Sequence, residues 1–151
     1  MKHALLAAVI GACTLITSGT ALAQAKPETL VKQRQAAMTL IGKYWGPMGG
    51  MAQGKVPFNA DTVKRNTGYL QALSTMPWDG FNASTKDEKT RTLPAVYSDT
   101  AKFKDAQDRF TGEVSKLATT VAGGDEGAIK SQLAAVGKSC GGCHENFREK
   151  R

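Results

Sequence analysis

The chain has 151 residues, a formal net charge of +7 and three cysteines. That length fits a single domain with a modest core and excludes a multidomain architecture. The positive charge is spread out, without a basic run or interleaved aromatics, which excludes nucleic acid and leaves a mildly cationic surface for anionic partners.

The first segment, Met1 to Ala23, carries Lys2, an apolar stretch from Ala4 to Ile16 and the small-x-small triplet Ala21-Leu22-Ala23. This is the pattern of a cleaved secretory signal peptide, with cleavage expected before Gln24. Gly11, Thr14 and Thr17 break the apolar run and leave it too short for a comfortable membrane span. Ala12-Cys13-Thr14 is a poor lipid-attachment site. The expected product is therefore an exported, periplasmic domain over 24–151, without stable membrane insertion. Cleavage removes His3 and Cys13, so Cys140, Cys143 and His144 are the cysteines and histidine that remain.

Four helical stretches follow. The first is expected over Pro27 to Met51, with Pro27 at its start and Glu28 in its first turn. Leu30, Arg34, Ala37, Met38, Ile41, Trp45 and Met48 recur at steps of three and four and form one face. An arginine on that apolar face needs a partner. Gly46-Pro47 and Gly49-Gly50 point to a kink or fraying at the far end. The second stretch begins at Asn59, a helix cap, and stops before Pro77. Val63, Leu70 and Leu73 mark its inner face, and Asn66 interrupts it. A long polar connection runs from Pro77 to Leu93, where Trp78 and Phe81 are expected to tuck against the core. Its Asn82-Ala83-Ser84 sequon is not read as glycosylated behind a bacterial-type leader.

The third stretch is expected as one helix from Pro94 to Ala122. Val96, Thr100, Phe103, Gln107, Phe110, Val114, Leu117 and Val121 follow an alternating four-three step, the seam of a bundle. Gly123-Gly124 ends it and Asp125 caps the next. The fourth is expected from Glu126 to the terminus, with Ile129, Leu133, Val136, Cys140, Cys143 and Phe147 continuing the step. No stretch alternates as a strand would. Four amphipathic helices predict an all-α, antiparallel four-helix bundle.

Two thiols of the fourth helix stand where core residues belong, in the sequence Cys140-Gly141-Gly142-Cys143-His144. C-x-x-C-H is the attachment signature of c-type haem. Positions i and i+3 of a helix lie close enough to reach two vinyl groups, and the next residue delivers an imidazole to the iron. A zinc site needs further cysteine or histidine ligands, which are missing after Gln24. A thioredoxin-type pair sits between a strand and a helix, and no strand is available. A disulfide between Cys140 and Cys143 would close a loop too small to stabilise the fold.

Beyond the motif itself, Lys26-Pro27-Glu28, the Arg34-Gln35-x-x-Met38 segment, Pro77-Trp78, and Gly137-Lys138-Ser139 running into CGGCHENFR make the chain resemble the class II cytochromes c, the cytochrome c′ group. The resemblance covers the whole chain after the leader. It implies a left-handed four-helix bundle enclosing one covalent haem c, with Cys140 and Cys143 as attachment points and His144 as proximal iron ligand. Arg148, one turn past His144, matches a position that often places a cation near the proximal imidazole. It is equally a solvated arginine favoured by the helix dipole. Arg34 and Gln35 match positions that contact the haem edge and propionates, and a propionate would give Arg34 its partner.

Met38 matches the distal position, which Met48, Met51 and Met76 fit less well. In high-spin relatives the distal residue only crowds the sixth site, and the iron is five-coordinate. In low-spin relatives a methionine binds the iron through sulfur and raises the potential. It is otherwise a core methionine filling a gap. The preferred expectation is a high-spin electron-transfer protein able to bind NO or CO. Its apolar distal site lacks donors to stabilise dioxygen. The alternative is a six-coordinate electron carrier with Met38 as ligand. No enzyme activity is expected, because peroxidase chemistry wants a distal base and no second histidine follows the leader. Redox proteins are the expected partners, and homodimers are common in this group.

Overall fold

The computed structural model describes residues 25–150. The leader expected over residues 1–23 lies outside the described residues, as do Cys13 and His3. Among the described residues there are five α-helices: α1 over Pro27–Ala52, α2 over Ala60–Leu73, α3 over Ala95–Ser98, α4 over Thr100–Gly123 and α5 over Glu126–Phe147. The four long ones form an antiparallel four-helix bundle. α1 packs on α2, α2 on α4, α4 on α5, and α5 on α1, so the ring of helices closes.

Local signals set most of the ends. Pro27 opens α1 with Glu28 in its first turn. Pro47 does not end this helix, which runs on to Ala52. Asn59 caps α2 by accepting from the Thr62 amide at 2.8 Å, and Asp125 caps α5 by accepting from the Ala128 amide at 2.6 Å. These contacts satisfy amides that the first turn leaves without intrahelical partners. Gly124 ends α4 in the left-handed region at φ 77°, where a side chain would be strained.

Two expected boundaries are corrected. The helix expected from Pro94 to Ala122 is divided at Asp99, whose backbone leaves the helical region at φ −119° and ψ 62°. The Asp99 carboxylate instead accepts from the Lys102 amide at 3.3 Å. A short acidic side chain competes for backbone donors in this way and starts a helix more readily than it continues one. Val96 therefore belongs to the short α3, not to the long seam, and Thr100 is exposed. The second correction concerns α5, which ends at Phe147 and does not continue to the terminus. Arg148 is extended and pairs in antiparallel fashion with Thr92.

The main core joins Ile41, Met48, Val63, Leu70, Phe110, Val114, Leu117, Leu133 and Val136. Each fully buried Leu or Val contributes about 1.5–3 kcal/mol relative to exposure. Asn66, expected to interrupt the inner face of α2, is buried and donates through Nδ2 to the Tyr44 carbonyl at 3.0 Å. A smaller cluster of Val96, Phe103 and Phe147 sits at the motif end of the bundle. Trp78 bridges the two clusters, meeting Phe103 and Phe110 edge-on at 6.4 and 6.2 Å between ring centres. Its indole N–H donates to the Ser74 carbonyl at 2.8 Å. Trp78 and Phe81 thus hold the long connection against the bundle, as expected.

This connection crosses α1 at Gly80. A Cβ there would lie 2.7 Å from the Arg34 Cβ and 2.8 Å from the Leu30 carbonyl oxygen. Neither atom is the free end of a flexible side chain, so the loop must lift or α1 must shift. Gly80→Ala is expected to lower unfolding stability by about 2 kcal/mol. A urea midpoint equal to that of the native chain would refute the close approach.

Candidate functional site

α5 places the motif between two apolar clusters. Cys140 packs against the main core and Cys143 against the aromatic cluster. The motif's sulfur-bearing face thus looks into the bundle. Gly141 and Gly142, between them, leave open space where side chains would stand. Trp45 of α1 approaches one turn earlier, because Gly137 offers no side chain; a Cβ there would lie 3.1 Å from the indole Cζ2.

Both cysteines are half-buried, and no disulfide joins them. Burial, followed by the repulsion of a neighbouring thiolate at Cys143, pushes the Cys140 thiol up to about 11. Burial also raises Cys143. Each therefore stands as a neutral thiol at neutral pH, unlike the low-pKa thiolate of a catalytic or redox cysteine. His144 is exposed at the rim. Desolvation of its ring, and then the Arg148 cation, hold it below the ordinary histidine value. A neutral imidazole keeps a nitrogen lone pair for a metal.

Two clefts flank the motif. One, of about 210 Å³, lies beside Cys143 between α4 and α5 and is lined by Lys102, Asp105, Arg109, Lys138 and Phe147 among others. The other, of about 340 Å³, surrounds His144 with Arg91, Glu145, Arg148 and Glu149. Among the described residues no group of three or more His, Cys, Asp or Glu side chains is arranged to hold a bare metal ion. The donor chemistry fits a group fastened by two thiols and ligated by one imidazole, and does not fit a four-ligand zinc site.

The helix-one candidates separate. Met38 is half-buried and packs on the same core that Cys140 borders. Gln35 is exposed. Arg34 is buried, at 3% exposure, and its guanidinium faces the long connection. Nη1 donates to the Gly80 carbonyl, to Thr85 Oγ1 at 3.1 Å and to Tyr97 OH at 3.4 Å. Nη2 donates to Thr90 and Thr92 Oγ1 at 3.3 and 3.1 Å. Its Cζ lies 4.5 Å from the centre of the Phe81 ring. Among the described residues, the long connection supplies these partners of the buried guanidinium.

Residues that sequence reasoning missed are the hydroxyls of this network. Thr85 is buried and bonded to Tyr97, the Gly80 carbonyl and the Asn82 carbonyl. Their signal was present only as a threonine-rich polar loop. Arg148 lies next to His144, its amide donating to the His144 carbonyl at 3.2 Å, and its side chain is exposed.

The family model described as Cytochrome C′ matches residues 29–148. The crystal structure of cytochrome c′ from Rubrivivax gelatinosus is similar at 40% identity and a TM-score of 0.77, covering 82% of this chain and 98% of that one. Cytochrome c′ from Shewanella frigidimarina is similar at 33% identity and a TM-score of 0.79, with 84% and 99% covered. A nitric oxide complex of a leucine-to-alanine variant of cytochrome c′ from Alcaligenes xylosoxidans matches at 36% identity and a TM-score of 0.76, with 85% and 99% covered.

Proposed function

The chain belongs to the cytochrome c′ family, whose members carry covalent haem c, and from that premise we propose that it is an exported electron carrier which also binds nitric oxide or carbon monoxide. Haem supplies a one-electron couple and a coordination position for a diatomic ligand. Cys140 and Cys143 would hold it through thioethers, and His144 would ligate the iron. The observation that carries the reading is the placement of Cys140 and Cys143 one helical turn apart on the bundle-facing side of α5, with His144 next to them at the exposed rim. The nitric oxide complex of the Alcaligenes relative supports the gas-binding half.

In this reading Met38 fills the apolar space opposite the motif and excludes water without binding iron. A second reading makes Met38 a sulfur ligand, favoured by its place on the core that Cys140 borders. Export to the periplasm rests on the leader sequence, and among the described residues no helix is long and apolar enough to cross a membrane. A dedicated catalyst is not part of the proposal, since the sequence's other histidine, His3, lies in the leader. Association of two copies is an expectation of the same reading, and the exposed Leu40 of α1 and Tyr69 of α2 offer apolar surface for it.

The optical spectra of the ferric and ferrous protein test the proposal, with carbon monoxide added to the ferrous form. The expected result is a high-spin ferric spectrum and saturable carbon monoxide binding. A low-spin ferric spectrum with the red charge-transfer band of methionine ligation, and no response to carbon monoxide, would establish the second reading instead.

A further inference from the structure

We infer that Arg34 is a positioning residue for the end of α5, acting through the long connection on the helix turn that bears His144. The inference deepens the proposed function and rests on it only in calling that turn the proximal one.

A buried cation is costly unless paired, and pairing with a carboxylate is the usual relief. Arg34 has none. The ion pairs among the described residues, Lys104 with Asp108, Lys116 with Glu113 and Lys130 with Glu126, stand on helix surfaces. The acceptors that the described residues offer Arg34 all lie between Gly80 and Tyr97. The two ends of the guanidinium divide the work. Nη1 gathers Gly80, Thr85 and Tyr97, and Nη2 holds Thr90 and Thr92. A planar fork spans both sets, which the point charge of a lysine does not.

Thr92 carries the link onward. Its backbone pairs with Arg148. On either side the Leu93 amide donates to the Phe147 carbonyl at 3.0 Å and the Glu149 amide to the Arg91 carbonyl at 2.8 Å. The Arg91 guanidinium adds a bond to the Glu149 carbonyl. Thr90 Oγ1 accepts from the Thr92 amide at 3.1 Å and stiffens the same corner. Residues 91–93 therefore form a clasp on residues 147–149, and that clasp turns Arg148 out of the helix. The Arg148 amide still reaches the His144 carbonyl, so the clasp sets the last turn behind the imidazole. Arg34 anchors the clasp from α1, through Thr92.

The test uses haem-loaded protein and Thr92→Val, which deletes one acceptor of Arg34 and keeps the backbone pairing. Thr92→Ser restores the hydroxyl. In the carbon monoxide-bound ferrous state, amide exchange at Leu93 and Glu149 should rise about tenfold in Thr92→Val, the value of one bond to a charged donor. Exchange at the Leu117 and Leu133 amides should stay unchanged, and Thr92→Ser should return to native rates. The iron–histidine stretching band of the ferrous protein should shift in Thr92→Val and in Arg34→Lys. Native exchange at Leu93 and Glu149, an equal rise at Leu117 and Leu133, or an unmoved iron–histidine band would overturn the inference. A native protein isolated without covalent haem would sink the proposed function, while the exchange rates would still decide the clasp.

Discussion

Replacing both Cys140 and Cys143 by serine is expected to abolish covalent haem while leaving the bundle largely helical. These are the thiols among the described residues, and they stand one helical turn apart on the face that looks into the bundle. Serine keeps the size of the side chain and removes the sulfur that a thioether requires. The cost to the fold is limited because both positions are only half-buried; about 1 kcal/mol per desolvated hydroxyl is the scale. Haem staining after denaturing electrophoresis reads the result directly, and circular dichroism reports the helices. Haem that survives denaturation in the double variant would exclude these cysteines as the attachment points. Single variants should keep one thioether each. Replacing His144 by Ala should leave the covalent bonds and change the ferrous spectrum, because that change removes a ligand and not an anchor.

The parts of the molecule that were legible in the sequence are those fixed by short-range physics. C-x-x-C-H announces itself by spacing alone. Asn59 and Asp125 were readable as caps because each needs only an amide three residues ahead. The four-three step of Phe103, Phe110, Val114 and Leu117 was readable because burial follows helical period. Asp99 shows where this fails. Its neighbours keep the apolar step, yet its own carboxylate does better as the cap of Lys102 than inside a helix. The end of α5 depends on Thr92, far away in sequence, and nothing near Phe147 signals it. Arg34 is the clearest case. Its oddity on an apolar face was visible, but its acceptors lie 46 to 63 residues away and are neutral. Identifying such partners requires the folded loop, since threonines and carbonyls carry no charge pattern to betray them.

Truncating Met38 to Ala is expected to leave the ferric protein high-spin and to raise the rate of carbon monoxide association about tenfold or more. The side chain is half-buried, one turn after Arg34 on α1 and between the buried Ala37 and Ile41. It packs on the core that Cys140 borders. In the five-coordinate reading its methylenes and sulfur occupy space that an entering ligand must clear, so removing them lowers an entry barrier; a tenfold change corresponds to about 1.4 kcal/mol. Partial burial limits the stability loss to about 1–2 kcal/mol, below the range for fully buried methionine. Stopped-flow mixing of the ferrous protein with carbon monoxide measures the rate. The six-coordinate reading gives a different outcome from the same variant: the native protein starts low-spin, and the substitution converts it to high-spin because a ligand sulfur has gone. Met38→Leu sharpens the distinction. Leucine keeps the bulk and loses the donor, so it should preserve slow association if Met38 only crowds the site and should mimic Ala in the spectrum if Met38 ligates. An Ala variant with native spectrum and native association rate would place Met38 in the core alone, and the distal wall would then have to be built by other residues of α1.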